Sequence, residues 1–210
     1  MKVLALSVGG PREVEVEGGS VRTSIFKEPV GRRLRVSRLN IEGDEQSDLS
    51  VHGGADKAVY AYPAEHYAAW RGELPEVEFP MAIFGENLTV EGLTEDVRIG
   101  DRFRIGSAEF LVTQPRLPCF KLSIRFGRTD ILKRMLKNGM TGFYLRVTAE
   151  GEVGAGDAIE PLERSAEELT VADVVRLYAA GAKDQDLLRR AVSSMVLPDS
   201  WKVQFRRRLR

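Results

Sequence analysis

Over the first 160 residues of the chain, apolar and polar positions change places in short runs. Residues 3–8 are a brief apolar run closed by Gly9-Gly10-Pro11. In EVEVEGGSVRTSIF, Val14 and Val16 alternate with Glu13, Glu15 and Glu17 up to Gly18-Gly19, the pattern of a hairpin with one wet face. Further strands are predicted over 34–39, 58–62, 87–90, 102–105, 109–113, 144–148 and 158–161. Many short strands with Gly-rich turns point to a barrel or a sandwich.

Two helices interrupt the strands. Residues 63–70 open with a proline at a first-turn position and stop before Gly72. Residues 129–138 carry a Thr cap, an early Asp, late lysines and Gly139 as a stop. After Leu162 the period changes to that of helices. Val171, Val174, Val175 and Tyr178 form one apolar stripe, Leu187, Leu188 and Val192 a second, Trp201 and Phe205 a third. Thr170 and Asp173 have the spacing of a capping box, and Gly181 closes that helix. Helices this short depend on packing, against one another or on the strands. The chain therefore divides near residues 162–164, into a strand-rich domain over 1–163 and a three-helix domain over 164–210.

Composition adds mostly exclusions. The chain has 210 residues, 43% hydrophobic and 30% charged, an ordinary globular balance. Lys+Arg and Asp+Glu both number 31, which gives no support to nucleic-acid or membrane attraction. No stretch approaches the ~20 apolar residues of a spanning helix, and the N-terminus is not a signal peptide. One cysteine cannot form an internal disulfide and fits a reducing, cytoplasmic setting. Nor can it build a cysteine-ligated iron–sulfur cluster or a multi-thiolate zinc site.

That cysteine, Cys119, sits in QPRLPCFKL. Pro115 and Pro118 lack N–H groups, and Leu117 is pushed toward extended geometry, so the stretch reads as a stiff loop. Arg116 and Lys121 are cations that can stabilise a thiolate, the reactive and metal-binding form. The plain alternative is a small buried hydrophobe. Three other loops share this character: Gly43–Asp48, Val51–Lys57 and Phe84–Leu88. Glycines at Gly53 and Gly54 let backbone N–H groups approach an anion, and Lys57 adds a point charge. The spacing matches neither a dinucleotide fingerprint nor a P-loop. His66 reads as structural on its apolar helix, and His52, beside two glycines, as functional. Asn87 suits a turn as well as a site, and Asp44 with Glu45 suits a solvated loop. A thiolate prefers a soft or high-valent metal, and one protein thiolate is too few to hold a bare ion, so the metal would arrive inside an organic cofactor.

The ordered set GDEQSD, VHGGADKAVYAYP, FGENLTVEGL, GD-x-F and QPRLPCFKL, followed by C-terminal helices, resembles the MOSC domain proteins of the YiiM type. The resemblance covers essentially the whole chain. It implies a mainly β fold: a closed, mostly antiparallel barrel followed by a three-helix module. It implies a molybdenum cofactor, a pterin dithiolene whose metal is ligated by Cys119. It further implies reduction of N-hydroxylated compounds, such as hydroxylaminopurine base analogues, to amines by removal of oxygen. On this reading Arg116 and Lys121 contact the pterin phosphate or hold the thiolate, His52, Lys57 and Asn87 line the pocket, Gly53 and Gly54 offer backbone N–H groups to the cofactor, and Asp44 with Glu45 hydrogen-bonds the pterin edge. His52 is the assigned proton source. Neither a pyridoxal-phosphate domain nor an iron–sulfur domain is present in the sequence. Electrons would therefore come from a separate, flavin-type reductase, for which the basic segment Lys202, Arg206, Arg207, Arg208 and Arg210 is a docking candidate. The alternative function is a carrier of the cofactor, or a sulfur-handling module, without turnover of its own.

Overall fold

The computed structural model describes residues 1–47, 53–179 and 184–210. Its strands are β1 (Lys2–Val8), β2 (Arg12–Val16), β3 (Gly19–Thr23), β4 (Glu28–Pro29), β5 (Leu34–Val36), β6 (Val59–Pro63), β7 (Leu88–Glu91), β8 (Arg102–Ile105), β9 (Ala108–Pro115), β10 (Phe143–Ala149), β11 (Gly151–Val153) and β12 (Ile159–Glu163). The helices are α1 (Glu65–Glu73), α2 (Phe120–Phe126), α3 (Ile131–Asn138), α4 (Val171–Ala179), α5 (Gln185–Ser193) and α6 (Asp199–Arg206). Strands β2 and β3 form the expected hairpin, with Val14 opposite Val21. Three elements lie outside the sequence-based expectation: the two-residue β4, the three-residue β11 and the helix α2.

Eight strands make one sheet in the order β12-β8-β9-β10-β6-β7-β1-β4. All neighbours are antiparallel except β6 and β7, which run parallel with Ala61 opposite Leu88. The expected closed barrel is not formed. The outer edge of β1 is divided between two partners. Its start meets residues 156–159 through a bridge from Lys2 to Ala158, with Val3 N–H donating to Asp157 O at 2.9 Å. Its end pairs with β4, Ser7 opposite Pro29. A strand edge shared in this way has no length left for a closing ladder. The two outer strands also carry Pro29 and Pro161, which cannot donate to a new neighbour.

Alternation along the strands sorts side chains into two cores. Val59 and Ala61 of β6, with Phe143, Leu145 and Val147 of β10, belong to the larger one. The C-terminal helices complete it with Val171, Val174, Leu177, Leu187, Leu188, Trp201 and Phe205. The opposite parity, Tyr60 and Tyr62, enters an aromatic cluster with Tyr67, Trp70, Phe84, Leu122 and Met135 of the helical side. Tyr62 stacks on Phe84 with ring centroids 4.1 Å apart. Tyr144 packs against this second cluster.

The capping box at α4 is present: Asp173 N–H donates to Thr170 Oγ1 at 3.0 Å, and Thr170 N–H to Asp173 Oδ2 at 3.1 Å. Gly181, expected to close that helix, lies outside the described residues. The cap expected from Thr129 is not made. Asp130 precedes α3 in helical geometry, and its carboxylate accepts from Arg128 and Arg134 instead, which outcompete a backbone N–H.

Candidate functional site

Helices, loops and sheet meet around a cleft with about 580 Å³ of empty space. Strand β9 runs to Pro115, which has no N–H to continue the ladder, and α2 begins at Phe120. Cys119 stands at the junction as the residue before the helix, in extended geometry, with Leu122 N–H donating to its carbonyl at 2.9 Å. The stiff loop read from the prolines is therefore only residues 116–119. Its half-buried thiol faces the cleft.

Around it the lining groups are charged. Among the described residues, Lys27, Lys57, Arg116 and Lys121 face Asp44 and Glu45, four cations against two carboxylates. Arg116 is only 6% exposed. Its guanidinium lies 5.4 Å from the centre of the Tyr60 ring, with Nη1 3.9 Å from Met135 Sδ. Among the described residues it makes no ion pair. Burial alone would lower its pKa, but the charges that Tyr60, Tyr144 and Cys119 can carry outweigh this and raise it. Its backbone N–H is held by Gly142 O at 3.2 Å. A buried guanidinium without a carboxylate beside it is costly unless other acceptors answer it. The Tyr144 hydroxyl accepts from it, and Cys119 stands within electrostatic reach.

Lys27 is the other buried cation. It pairs with Asp44, whose Oδ1 also accepts from Gly9 N–H at 3.0 Å. Burial lowers the Lys27 pKa, and Asp44 opposes that shift. Lys57 ends the short 3-10 turn Ala55–Lys57, and burial lowers its pKa as well. That turn is anchored to the sheet, since Asp56 O accepts from Thr113 Oγ1 at 2.7 Å and Asp56 Oδ1 from Arg146 Nε at 2.7 Å. The hydroxyl-bearing wall is Tyr60 and Tyr144, ring centroids 5.5 Å apart, both with pKa raised by burial.

The structure thus brings Cys119, Arg116, Lys121, Lys57, Asn87 and Asp44 to one cleft. Asn87 has its amide spoken for: Oδ1 accepts from Tyr60 N–H at 3.1 Å, and Nδ2 donates to Ser7 O at 3.3 Å. Its role is to tie β1, β6 and the start of β7 beneath the cleft floor. Gly54 caps the 3-10 turn with φ 96° and is not a lining residue, nor is Gly53. His52 lies outside the described residues. His66 binds Glu95, Nε2 to Oε2 at 2.7 Å, away from the cleft, as a structural histidine would. Sequence reasoning missed Lys27, Tyr60, Tyr144 and the Thr23–Ile25 wall. The lysine in SIFKEP has no local mark that separates it from a surface lysine, and the tyrosines read only as strand residues.

Residues 48–160 match the MOSC domain family, and residues 169–210 match the YiiM-like three-helix domain. The chain belongs to the MOSC family. YflK of Bacillus subtilis (strain 168) is 43% identical to this MOSC protein over 204 residues, 97% of this chain and 92% of YflK. A protein of Gibberella moniliformis described as a reductase is 35% identical over 175 residues, covering 81% of this chain but 31% of the fungal protein. The crystal structure of YiiM from Geobacillus stearothermophilus superposes with a TM-score of 0.83 at 33% identity, covering all of this chain and 99% of that one. Among the described residues no helix is long and apolar enough to cross a membrane, and no three or more His, Cys, Asp or Glu side chains converge to hold a metal ion.

Proposed function

We propose that this MOSC protein is a molybdenum-cofactor-dependent reductase that converts N-hydroxylated compounds to amines. The observation that carries the reading is the buried Arg116 guanidinium, without an ion pair among the described residues, beside the only thiol of the chain. The donor set fits the cofactor. Cys119 offers one thiolate, which suits a metal that brings its other ligands on a pterin dithiolene. The cation surplus among Lys27, Lys57, Arg116 and Lys121 over the described carboxylates suits a phosphate-bearing ligand. When bound, the cofactor would supply two-electron, oxygen-accepting chemistry.

The chain's residues do the rest. The reaction, R–NHOH with two electrons and two protons giving R–NH2 and water, needs protons delivered at the leaving oxygen. His52 is assigned that delivery from the sequence. Arg116 places a cation beside the sulfur, and Tyr144, held neutral by burial, supplies a hydroxyl on the wall, whereas the Tyr60 hydroxyl is committed to Thr141 O at 2.8 Å. Electrons come from a separate flavin-type reductase. Arg206, Arg207 and Arg210 are exposed, whereas Lys202 pairs with Asp199 and Arg208 donates to Leu177 O at 2.6 Å. The docking candidate therefore narrows to the first three.

The test is metal and pterin content by mass spectrometry, on protein made in a host that synthesises the cofactor, beside Cys119→Ser. Near-stoichiometric molybdenum that vanishes in the variant, with reduction of 6-hydroxylaminopurine by a dye donor, is the expected result. Bound pterin and molybdenum without any such reduction would instead make the chain a carrier. Absence of both, in a host that loads a control molybdoenzyme, would end the reading.

A further inference from the structure

At the rim of the cleft, two guanidiniums share one aromatic ring. The Arg12 guanidinium carbon lies 3.5 Å from the centre of the Phe26 ring, and that of Arg125 lies 4.8 Å from it. Arg12 stands exposed at the start of the β2–β3 hairpin, and Arg125 is half-buried on α2. Like charges this close repel, and Arg12 is one reason, after burial, that the Arg125 pKa is lowered. Among the described residues neither has a carboxylate within ion-pair distance. Glu28 and Glu86 contribute to the field at Arg125, but burial favours the neutral form of Glu86. Arg125 Nε is buried without a hydrogen-bond partner.

The placement ties this pair to the cleft. Ile25 and Lys27, on either side of Phe26, both line it. Lys121 lines it as well, and Arg125 is one turn further along the same helix, so the two project from one face. A cationic track therefore runs from beside Cys119 out to the rim. A ring that holds two guanidiniums in place, with N–H groups left over, is prepared for an anion that can accept from both.

We propose that Arg12, Arg125 and Phe26 form a rim subsite for the phosphate monoester of a nucleotide whose N-hydroxylated base enters the cleft. This rests on the reading of the cleft as a reductase site and adds the substrate class: a nucleotide in preference to a free base. The deep cations Lys27 and Arg116 are buried against Asp44 and Tyr60, whereas Arg12 is open to solvent. A solvent-facing site suits a ligand that arrives and leaves with each turnover.

The experiment uses the full chain, produced in a host that supplies the pterin. Binding of adenosine 5′-monophosphate and of adenosine is compared by calorimetry at low salt, as unreactive probes. The nucleotide is expected to bind roughly 10-fold tighter, a preference removed by Arg12→Glu and reduced by Arg125→Lys, whose conserved charge keeps the helix intact. In turnover, the ratio of kcat/KM for 6-hydroxylaminopurine ribonucleoside monophosphate to that for the free base falls about 10-fold in Arg12→Glu. Equal affinity for the two probes in the parent protein, or a preference that survives Arg12→Glu, overturns the subsite. So does a loss of pterin in Arg12→Glu, since the phosphate would then be the cofactor's. A chain that reduces neither compound but keeps an Arg12-dependent preference retires the reductase reading and leaves the subsite standing.

Discussion

Glu86 is fully buried, with Oε1 accepting from the Tyr67 hydroxyl and from Thr89 Oγ1 at 3.0 Å, and Oε2 without a partner. Burial raises its pKa from the ordinary 4.5 and outweighs those hydrogen bonds. The folded state then holds a proton that the unfolded state has released, so the contribution of Glu86 to stability is fully present below about pH 4.5 and is lost as pH rises through its folded value. Glu86→Gln keeps an acceptor for both hydroxyls and removes the ionisation. Urea unfolding at pH 4.5 and pH 8 should show the variant gaining on the parent at the higher pH; parallel curves would mean that Glu86 is not resisting ionisation. Asp44 is buried against a cation instead. Asp44→Ala strands the buried Lys27 cation and the Gly9 N–H, an expected loss of ~3–5 kcal/mol, most of it recovered by adding Lys27→Met. A loss under ~1 kcal/mol in the single variant would place the pair among exposed ones. Neither Glu86 nor Lys27 announces itself in the sequence. FGENL and SIFKEP carry acids and a lysine where surface loops carry them too, and only the fold turns them inward. Cys119 differs because its neighbours, two prolines and two cations, restrict geometry and charge locally.

At the scale of elements, legibility followed whether the determinants were local. The hairpin, the helix at residues 171–179 and its capping box were readable because alternation, glycines and a Thr-x-x-Asp spacing act within a few residues. Strand β11 pairs with β5 across more than a hundred residues, and α2 is seven residues long with a proline just before it; both exist because packing supplies what propensity does not. The link between β9 and β10 shows how such packing reaches the site. Gly142 has φ 64°, and a Cβ there would lie 2.5 Å from Ala61 O and 2.8 Å from Tyr60 Cε2. Its carbonyl holds the Arg116 N–H, and its own N–H donates to Glu95 Oε1 at 2.7 Å. Gly142→Ala should destabilise the chain by more than ~3 kcal/mol, by denaturant midpoint, and shift Arg116 and Tyr60 together. A variant of parent stability would show that this turn can relax without disturbing the cleft.

On the whole molecule, the shift in pattern near residues 162–164 separates strands from helices, and the two family matches fall on either side of it. The physical contacts run across it. Trp201 of α6 donates from Nε1 to Gln114 Oε1 of β9 at 2.9 Å, and Trp201, Phe205, Leu187 and Val174 share one buried cluster with Phe103, Phe110 and Val112 of the sheet. Gln114 also donates to Asp56 O at 3.3 Å, so the same side chain braces the Lys57 turn at the cleft. Since the sheet does not close on itself, its inner face relies on these helices to exclude water. We expect the boundary to be one of composition and not of cooperativity. The full chain should unfold in a single calorimetric transition, and a chain ending at residue 164 should lose that transition and, with it, the capacity to hold the proposed cofactor. Two separate transitions, or a folded and loaded short chain, would make the helices an appendage. Trp201→Phe isolates the bridge without emptying the core. It removes one buried hydrogen bond and leaves Gln114 Oε1 unsatisfied, an expected cost of about 1–3 kcal/mol. If the bridge braces the cleft, cofactor retention falls in that variant by more than the change in stability accounts for.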